Sequence, residues 1–295
     1  MQIYKLKFLY NLIPFDKTNK LHSLNKKKVF LLNYIFISPV LFLFNPILFL
    51  QALPFFLIGY IDDRYDLSVI IRFVFCFLTL IVFFLFDSEL SLNFLILNFE
   101  YVYFNKPISV LLSIILILGF IHIMNMTDGR NANFGMYMFF LYSTIFFNLF
   151  YFNNEKNIFL FIICLSLIVV IILNFYSFSF FGNNGVYPFC FYSALIMFSN
   201  YEYLLISSKN IYAIFAFPFL DAIYVSFFRI KRGVSPFVSD LSHLHHLPSK
   251  WTLGFIIIFL FILFLLMVSF ALPFKFLIMI SILMYISLRL VLRKI

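Results

Sequence analysis

Apolar runs of about 20 residues, the length that carries a helix across a bilayer's hydrocarbon core, recur along this 295-residue chain with short polar breaks between them. They fall at roughly 29–44, 46–61, 68–87, 107–125, 134–152, 157–175, 185–199, 209–226, 253–270 and 272–291. The pattern predicts an all-α polytopic membrane protein with about ten transmembrane helices, built as a single domain over residues 1–295. Only 11% of the residues are charged, against roughly 25% in soluble domains. The 48 Phe read as a codon bias without functional meaning. Residues 88–106 open on an apolar alternation (Leu90, Leu92, Phe94, Ile96) that predicts a small hairpin outside the lipid. Met1 to Phe15 is apolar but too short to span, and no small-residue cleavage site follows it.

If the spans alternate in direction, segments 16–28, 62–67, 126–133, 176–184 and 227–252 share one face. Fifteen of the 21 Lys and Arg lie on or near that face and four on the other, with Lys5 and Lys7 unassigned. The bias marks the first face as cytoplasmic. It also accounts for the net charge of +9 without a nucleic-acid partner. Seven of the eight Asp and all five His lie on the same face, while every Glu lies on the opposite one. Short carboxylates and imidazoles gathered in loops between helices predict a site. Cys76, Cys164 and Cys190 lie in apolar runs without C-x-x-C spacing, which excludes a disulfide framework and a zinc knuckle.

Five segments and one lone residue carry candidate chemistry. Gly59 to Asp66 places Asp62 and Asp63 side by side at the end of a span. Adjacent carboxylates repel, and Mg²⁺ suits them because it takes one or two carboxylates with substrate phosphates; a solvated helix cap is the plainer reading. Asn125-Met126-Thr127-Asp128-Gly129 has His122 one turn upstream and offers donors and acceptors to a polar ligand, or simply makes a turn. Phe181-Gly182-Asn183-Asn184-Gly185 reads first as a plain turn. Arg229 through Pro236, then Asp240, His243, His245 and His246, combine cations and imidazoles that suit a diphosphate; a zinc site would lack a nearby Cys or Glu, and a positive-inside loop with incidental histidines is the plainer reading. Asp221, after Pro218 inside a span, is an intramembrane carboxylate and a functional candidate on that ground. Asp16, Lys17, Lys20 and His22, with Lys26 to Lys28, suit an anionic headgroup or surface anchoring.

Together these segments resemble the polyprenyl-phosphate N-acetylhexosamine-1-phosphate transferases, from about Asp16 to Leu247. The aspartate pair with Asp66 and Arg72 is similar to that family's metal and lipid-phosphate segment, and Asn125 to Gly129 to its nucleotide-sugar segment. Arg229 through His246 resembles its last cytoplasmic loop, in the His-x-His-His form of the N-acetylglucosamine branch. Asn183 stands where the family has Asp, His122 where it tends to have Asn, and Asn131-Ala132 where a second Asp-Gly is usual. The N-terminal loop is compressed, and the first helix reads as truncated.

The resemblance implies transfer of a sugar-1-phosphate from a UDP-N-acetylhexosamine to undecaprenyl or another polyprenyl phosphate, at the inner face of a bacterial cytoplasmic membrane. It would begin a cell-surface glycan. It implies Mg²⁺, with Mn²⁺ able to replace it, held by Asp62, Asp63 and Asn183. His243, His245 and His246 would join the aspartates in catalysis, while Lys17, Lys20, His22, Asn125, Asp128, Arg229 and Arg232 would bind substrates. The partners are the two substrates and the bilayer, and a homodimer is compatible with the reading. A non-catalytic homologue that binds polyprenyl phosphate or scaffolds glycan assembly is the alternative, supported by Asn183. A transporter is disfavoured, since the charges lie at one face and no internal repeat is visible.

Overall fold

The computed structural model describes residues 39–293, apart from 41, 44, 98–99, 129–131, 153–156, 177–180, 203–205, 237–241 and 249–250. Among the described residues nine long helices form, in the order α1 (Pro46–Tyr65), α2 (Val69–Phe86), α3 (Lys106–Asn125), α4 (Asn133–Phe152), α5 (Ile158–Phe175), α6 (Gly182–Glu202), α7 (Ser208–Lys231), α8 (Trp251–Ala271) and α9 (Phe274–Leu292). Their starts follow from local chemistry. The side chains of Asn45, Ser68, Asn105, Asn157 and Ser207 each accept from a backbone N–H in the first turn of α1, α2, α3, α5 and α7, satisfying donors that have no intrahelical partner. Pro46 and Pro107 sit in the first turns they can tolerate.

Eight of these helices are long and apolar enough to cross a membrane, which makes the chain an integral membrane protein. The expected count of about ten is thereby corrected to eight among the described residues. The expected span at 29–44 lies almost wholly outside them. The other missing helix is α6, which is absent from the eight for a physical reason. It is buried along nearly its whole length, packed on α1 and α3. A helix screened from lipid by its neighbours can carry Asn183, Asn184, Ser193 and Tyr187 among apolar residues. The three cysteines are free and buried.

The hairpin forms as expected: β1 (Phe94–Leu97) pairs antiparallel with β2 (Glu100–Tyr103), Phe94 opposite Tyr103. It is tied to the start of α3. Ser109 Oγ donates to the Leu92 carbonyl at 2.6 Å, and the Leu92 N–H donates to Ser113 Oγ at 2.8 Å. The hairpin closes one end of the bundle and leaves the other to the polar segments.

Candidate active site

The geometry at the polar end begins with a glycine. Gly59 of α1 faces the first turn of α6, where a Cβ would fall on the backbone carbonyl of Asn183 and on Cα of Asn184. Without a side chain the two helices touch backbone to backbone. The adjacent carboxylates, one turn on, then diverge. Asp63 reaches across to α6, accepting the Asn183 N–H on Oδ1 and the Asn184 N–H on Oδ2, both at 3.0 Å. These amides have no partner within their own helix, so Asp63 caps α6 from α1 and places its charge at the positive end of the helix dipole.

Asp62 turns toward α2 and is 2% exposed. Its Oδ2 accepts from Arg72 Nη1 at 3.0 Å, Asn183 Nδ2 at 2.6 Å and Tyr187 Oη at 3.2 Å, and its Oδ1 from the Leu67 N–H at 3.0 Å. Asp128, just beyond α3, accepts the Gly182 N–H on Oδ2 at 2.8 Å, while its Oδ1 is buried with no hydrogen-bond partner among the described residues. Burial pushes the Asp128 carboxyl up to about 7, against the pull of the Gly182 and Phe181 amides. Three carboxylates therefore meet at the start of α6, with Asp63 in electrostatic reach of the other two. His122, in the last turn of α3, stacks on Phe73 at 5.6 Å beside Arg72. Asn125 ends α3 and its carbonyl accepts the Asp128 N–H at 3.3 Å.

The glycine-flanked asparagines thus open a helix and do not make the plain turn expected of them. Gly182 takes φ 61°, the left-handed backbone that lets the chain swing into α6. Ala132 takes φ 56° before α4. This is the position where the resembling family carries glycine, and an alanine there is strained.

A second cluster surrounds Asp221 in α7. Its carboxylate accepts from His243 Nδ1 at 2.9 Å, Tyr285 Oη at 2.8 Å, Arg289 Nη1 at 2.9 Å and the Leu244 N–H at 3.1 Å. His243 Nε2 faces Arg229 Nη2 at 3.4 Å, and Arg229 Nη1 donates to the Pro236 carbonyl at 2.6 Å. The three imidazoles form a column, with ring centroids 5.9 Å apart for His243 and His245 and 3.9 Å for His245 and His246. His243 and His245 are buried and His246 is half-buried. Burial lowers the pKa of His245 well below its ordinary value, with repulsion from His246 and His243 adding to the effect. His245 is therefore neutral at pH 7. A cavity of about 20 Å³ lies beside the second cluster, lined by Thr127, Asn133, Tyr137, Asp221, Leu244 and His245, of which Thr127 is the chain neighbour of Asp128. It has room for a single water, and the Oδ1 of Asn133, without a hydrogen-bond partner among the described residues, is buried beside it.

Most of the expected residues are thus brought to one end of the bundle. Arg232 ends α7, exposed, with its N–H on the Phe228 and Arg229 carbonyls. Lys17, Lys20, His22 and Asp240 lie outside the described residues. Tyr187, Tyr285 and Arg289 belong to none of the sequence motifs. Arg289 is one of the fifteen cations on the first face, although its i, i+4 spacing to Tyr285 inside an apolar run is a usable signal.

Among the described residues no three His, Cys, Asp or Glu side chains form a ready metal-ligand group. Mg²⁺, however, takes one or two carboxylates and fills its octahedron with substrate phosphate and water. The open Asp128 Oδ1 and the remaining lone pairs of Asp63 fit such a donor set.

Fold and site define an integral membrane protein whose polar chemistry converges at one end of its helices. Residues 45–201, just over half of the chain, match glycosyl transferase family 4, and the chain belongs to that family. Membership makes it a membrane-embedded transferase, suited to passing a sugar phosphate to a polyprenyl phosphate. The match takes in Asp62, Asp63, His122, Asn125, Asp128 and Asn183 and stops before Asp221, His243, His245 and His246. No curated protein matches the chain.

Proposed function

We propose that the protein transfers N-acetylhexosamine-1-phosphate from a UDP-sugar to a polyprenyl phosphate, with its polar end facing the cytoplasm. The observation that carries this reading is the presence of two half-sites, one acidic at the start of α6 and one basic at the end of α7, with Thr127, the neighbour of Asp128, lining a small cavity beside Asp221 and His245. The first gathers Asp62, Asp63 and Asp128; the second presents Arg229 and three imidazoles. An apolar groove of about 500 Å³ runs along α3 between α6 and α7, from Met124 beside the site to Leu92 near the hairpin. Such a groove suits an isoprenoid tail entering from the bilayer.

In the reaction, an oxygen of the lipid phosphate attacks the β-phosphorus and the bond to UMP breaks. The products are polyprenyl-diphosphate-sugar and UMP. Asp62 and Asp63, with Asp128 and the Asn183 Oδ1 at the margin, would hold Mg²⁺ (or Mn²⁺ in its place), which when bound neutralises diphosphate charge. Asp63 and Asp128 fix the first turn of α6, and Arg72 fixes Asp62. Arg229 supplies positive charge and the half-buried His246 an N–H donor to the transferring phosphates, and Asn125 faces the nucleotide. Positioning and electrostatics account for most of the catalysis in phosphoryl transfer. The test supplies purified protein with radiolabelled UDP-N-acetylhexosamines, undecaprenyl phosphate and Mg²⁺. Absence of a lipid-linked product with every donor would sink the reading.

A second reading, a non-catalytic homologue that binds the lipid, rests on Asn183. Its Nδ2 sits 2.6 Å from Asp62 Oδ2, so a neutral donor occupies this point of the site. Asn183→Asp separates the two readings. A silent wild type rescued by the substitution favours the homologue; equal activity in both shows that the neutral side chain is tolerated. The variant also places two carboxylates in contact, so its melting temperature falls without Mg²⁺ and recovers when the ion is added.

A further inference from the structure

The last helix reaches into the site from outside the family match. Ser281, Tyr285, Leu288, Arg289 and Leu292 of α9 are buried, whereas Leu283, Ile286 and Leu290 are exposed. The buried residues share one face of the helix, and a guanidinium lies among them. Arg289 Nη1 donates to Asp221 Oδ1 and to Tyr285 Oη, each at 2.9 Å, and Nη2 donates to the Ser242 carbonyl at 2.6 Å. The guanidinium also lies 4.0 Å from the centre of the Tyr224 ring.

A buried ion pair adds little net stability compared with apolar side chains of similar volume. What this one supplies is geometry. The residue gripped is His243. Its preceding carbonyl, on Ser242, is held by Arg289; its following N–H, on Leu244, by Asp221; and its own Nδ1 by Asp221 again. His243 is thus pinned on both sides and at its ring, with Nε2 turned toward Arg229. Asp221 accepts from four different groups and has no lone pair left for a metal or a substrate.

We infer that Arg289 and Tyr285, acting through Asp221, are positioning residues that hold segment 242–247 and set the imidazole column against the transferring phosphates. The inference deepens the proposed transfer reaction and rests on it for the identity of the phosphates. A lysine could restore the charge but could not span Asp221 and the Ser242 carbonyl with one planar fork.

The test compares full-length wild type with Arg289→Gln, Arg289→Lys and Tyr285→Phe in lipid nanodiscs. Removing a residue that orients a functional group lowers activity by about 10–100-fold. Arg289→Gln is expected to lower kcat by that amount while the donor KM moves less than about threefold. Arg289→Lys recovers part of the loss, and Tyr285→Phe loses about threefold, as the removal of one hydrogen bond among several implies. Independently of turnover, amides of Leu244, His246 and Leu247 exchange faster with deuterium in Arg289→Gln, while those of α1 and α6 keep their wild-type rates. Wild-type kcat and exchange in the variant would overturn the inference, as would a loosening spread evenly over the molecule. If Arg289→Gln fails to fold, Tyr285→Phe decides by the same two readouts. If the wild type transfers nothing, the proposed function falls while the exchange data still judge the positioning.

Discussion

Asp62 and Asp221 are both carboxylates buried inside membrane helices, and each is paired with an arginine. The resemblance ends there. Around Asp62 the charge is mostly negative: Asp63 and Asp128 join it at the start of one helix, and Arg72 stands against them. Around Asp221 it is positive on balance, since Arg289 and Arg229 flank one acid beside a column of imidazoles. The first carboxylate also takes four donors, but three crowd Oδ2 while Oδ1 takes only the Leu67 N–H, and beside it Asp128 Oδ1 has no hydrogen-bond partner among the described residues. At the second the four donors fill both oxygens, and it serves its neighbours. A buried aspartate is therefore not one kind of object. Excess charge around it suits a ligand, and complete satisfaction suits a framework. A diphosphate reaction needs both, a region for a cation and a region for the anion.

Substitutions can break this contrast. Asp63→Asn removes charge from the half with capacity left over and is expected to cost about 10³-fold in transfer rate, the upper range for deleting one preorganised electrostatic group. That loss should exceed the effect of Arg289→Gln; equal losses would collapse the distinction between the two halves. Gly59→Ala drives a methyl into the α6 backbone, which cannot move aside as a flexible side chain can. A cost of about 1–3 kcal/mol is expected from overpacking, read as a lower melting temperature in detergent, along with lost activity as Asp62 and Asp63 are pulled from their amides.

The halves should also respond oppositely to pH. Asp128 titrates higher in the folded protein, from 3.8 to about 7, because burial disfavours its charge. Its contribution to stability is full below 3.8 and is lost as pH rises to about 7. His245 titrates below 6.5 in the folded protein, so stability declines as pH falls beneath 6.5. Melting curves of Asp128→Asn and His245→Gln should each lose one of these slopes; a variant that keeps its slope refutes the assignment. The smallest effect is expected at Ala132, where glycine relieves the left-handed backbone. The relief is partly offset by the entropy glycine loses on folding, for a net gain of about 0.5 kcal/mol.

Much of the architecture was legible in the order of residues. The spans from 46 onward lie within a few residues of the helices that form, and the alternation at Leu90 to Ile96 marked the hairpin. Lipid imposes this directly, because every lipid-facing segment must satisfy its own backbone and present apolar side chains. The aspartate pair, the Asn125–Asp128 segment and the histidine column were also visible, since short polar groups beside membrane spans are rare. The buried interior was harder to read. Helix α6 is screened from lipid, so hydropathy understates it, and its first turn looked like a loop because its cap, Asp63, stands 120 residues earlier in the chain. Arg289 looked like any flanking cation until α9 packed against α7 and brought it to Asp221. By itself the sequence determined which segments enter the membrane and which polar residues gather at one end, because solvent acts on each segment separately. Only the tertiary structure decided which carboxylate is satisfied and which retains capacity, because that depends on donors supplied by helices far away in the chain.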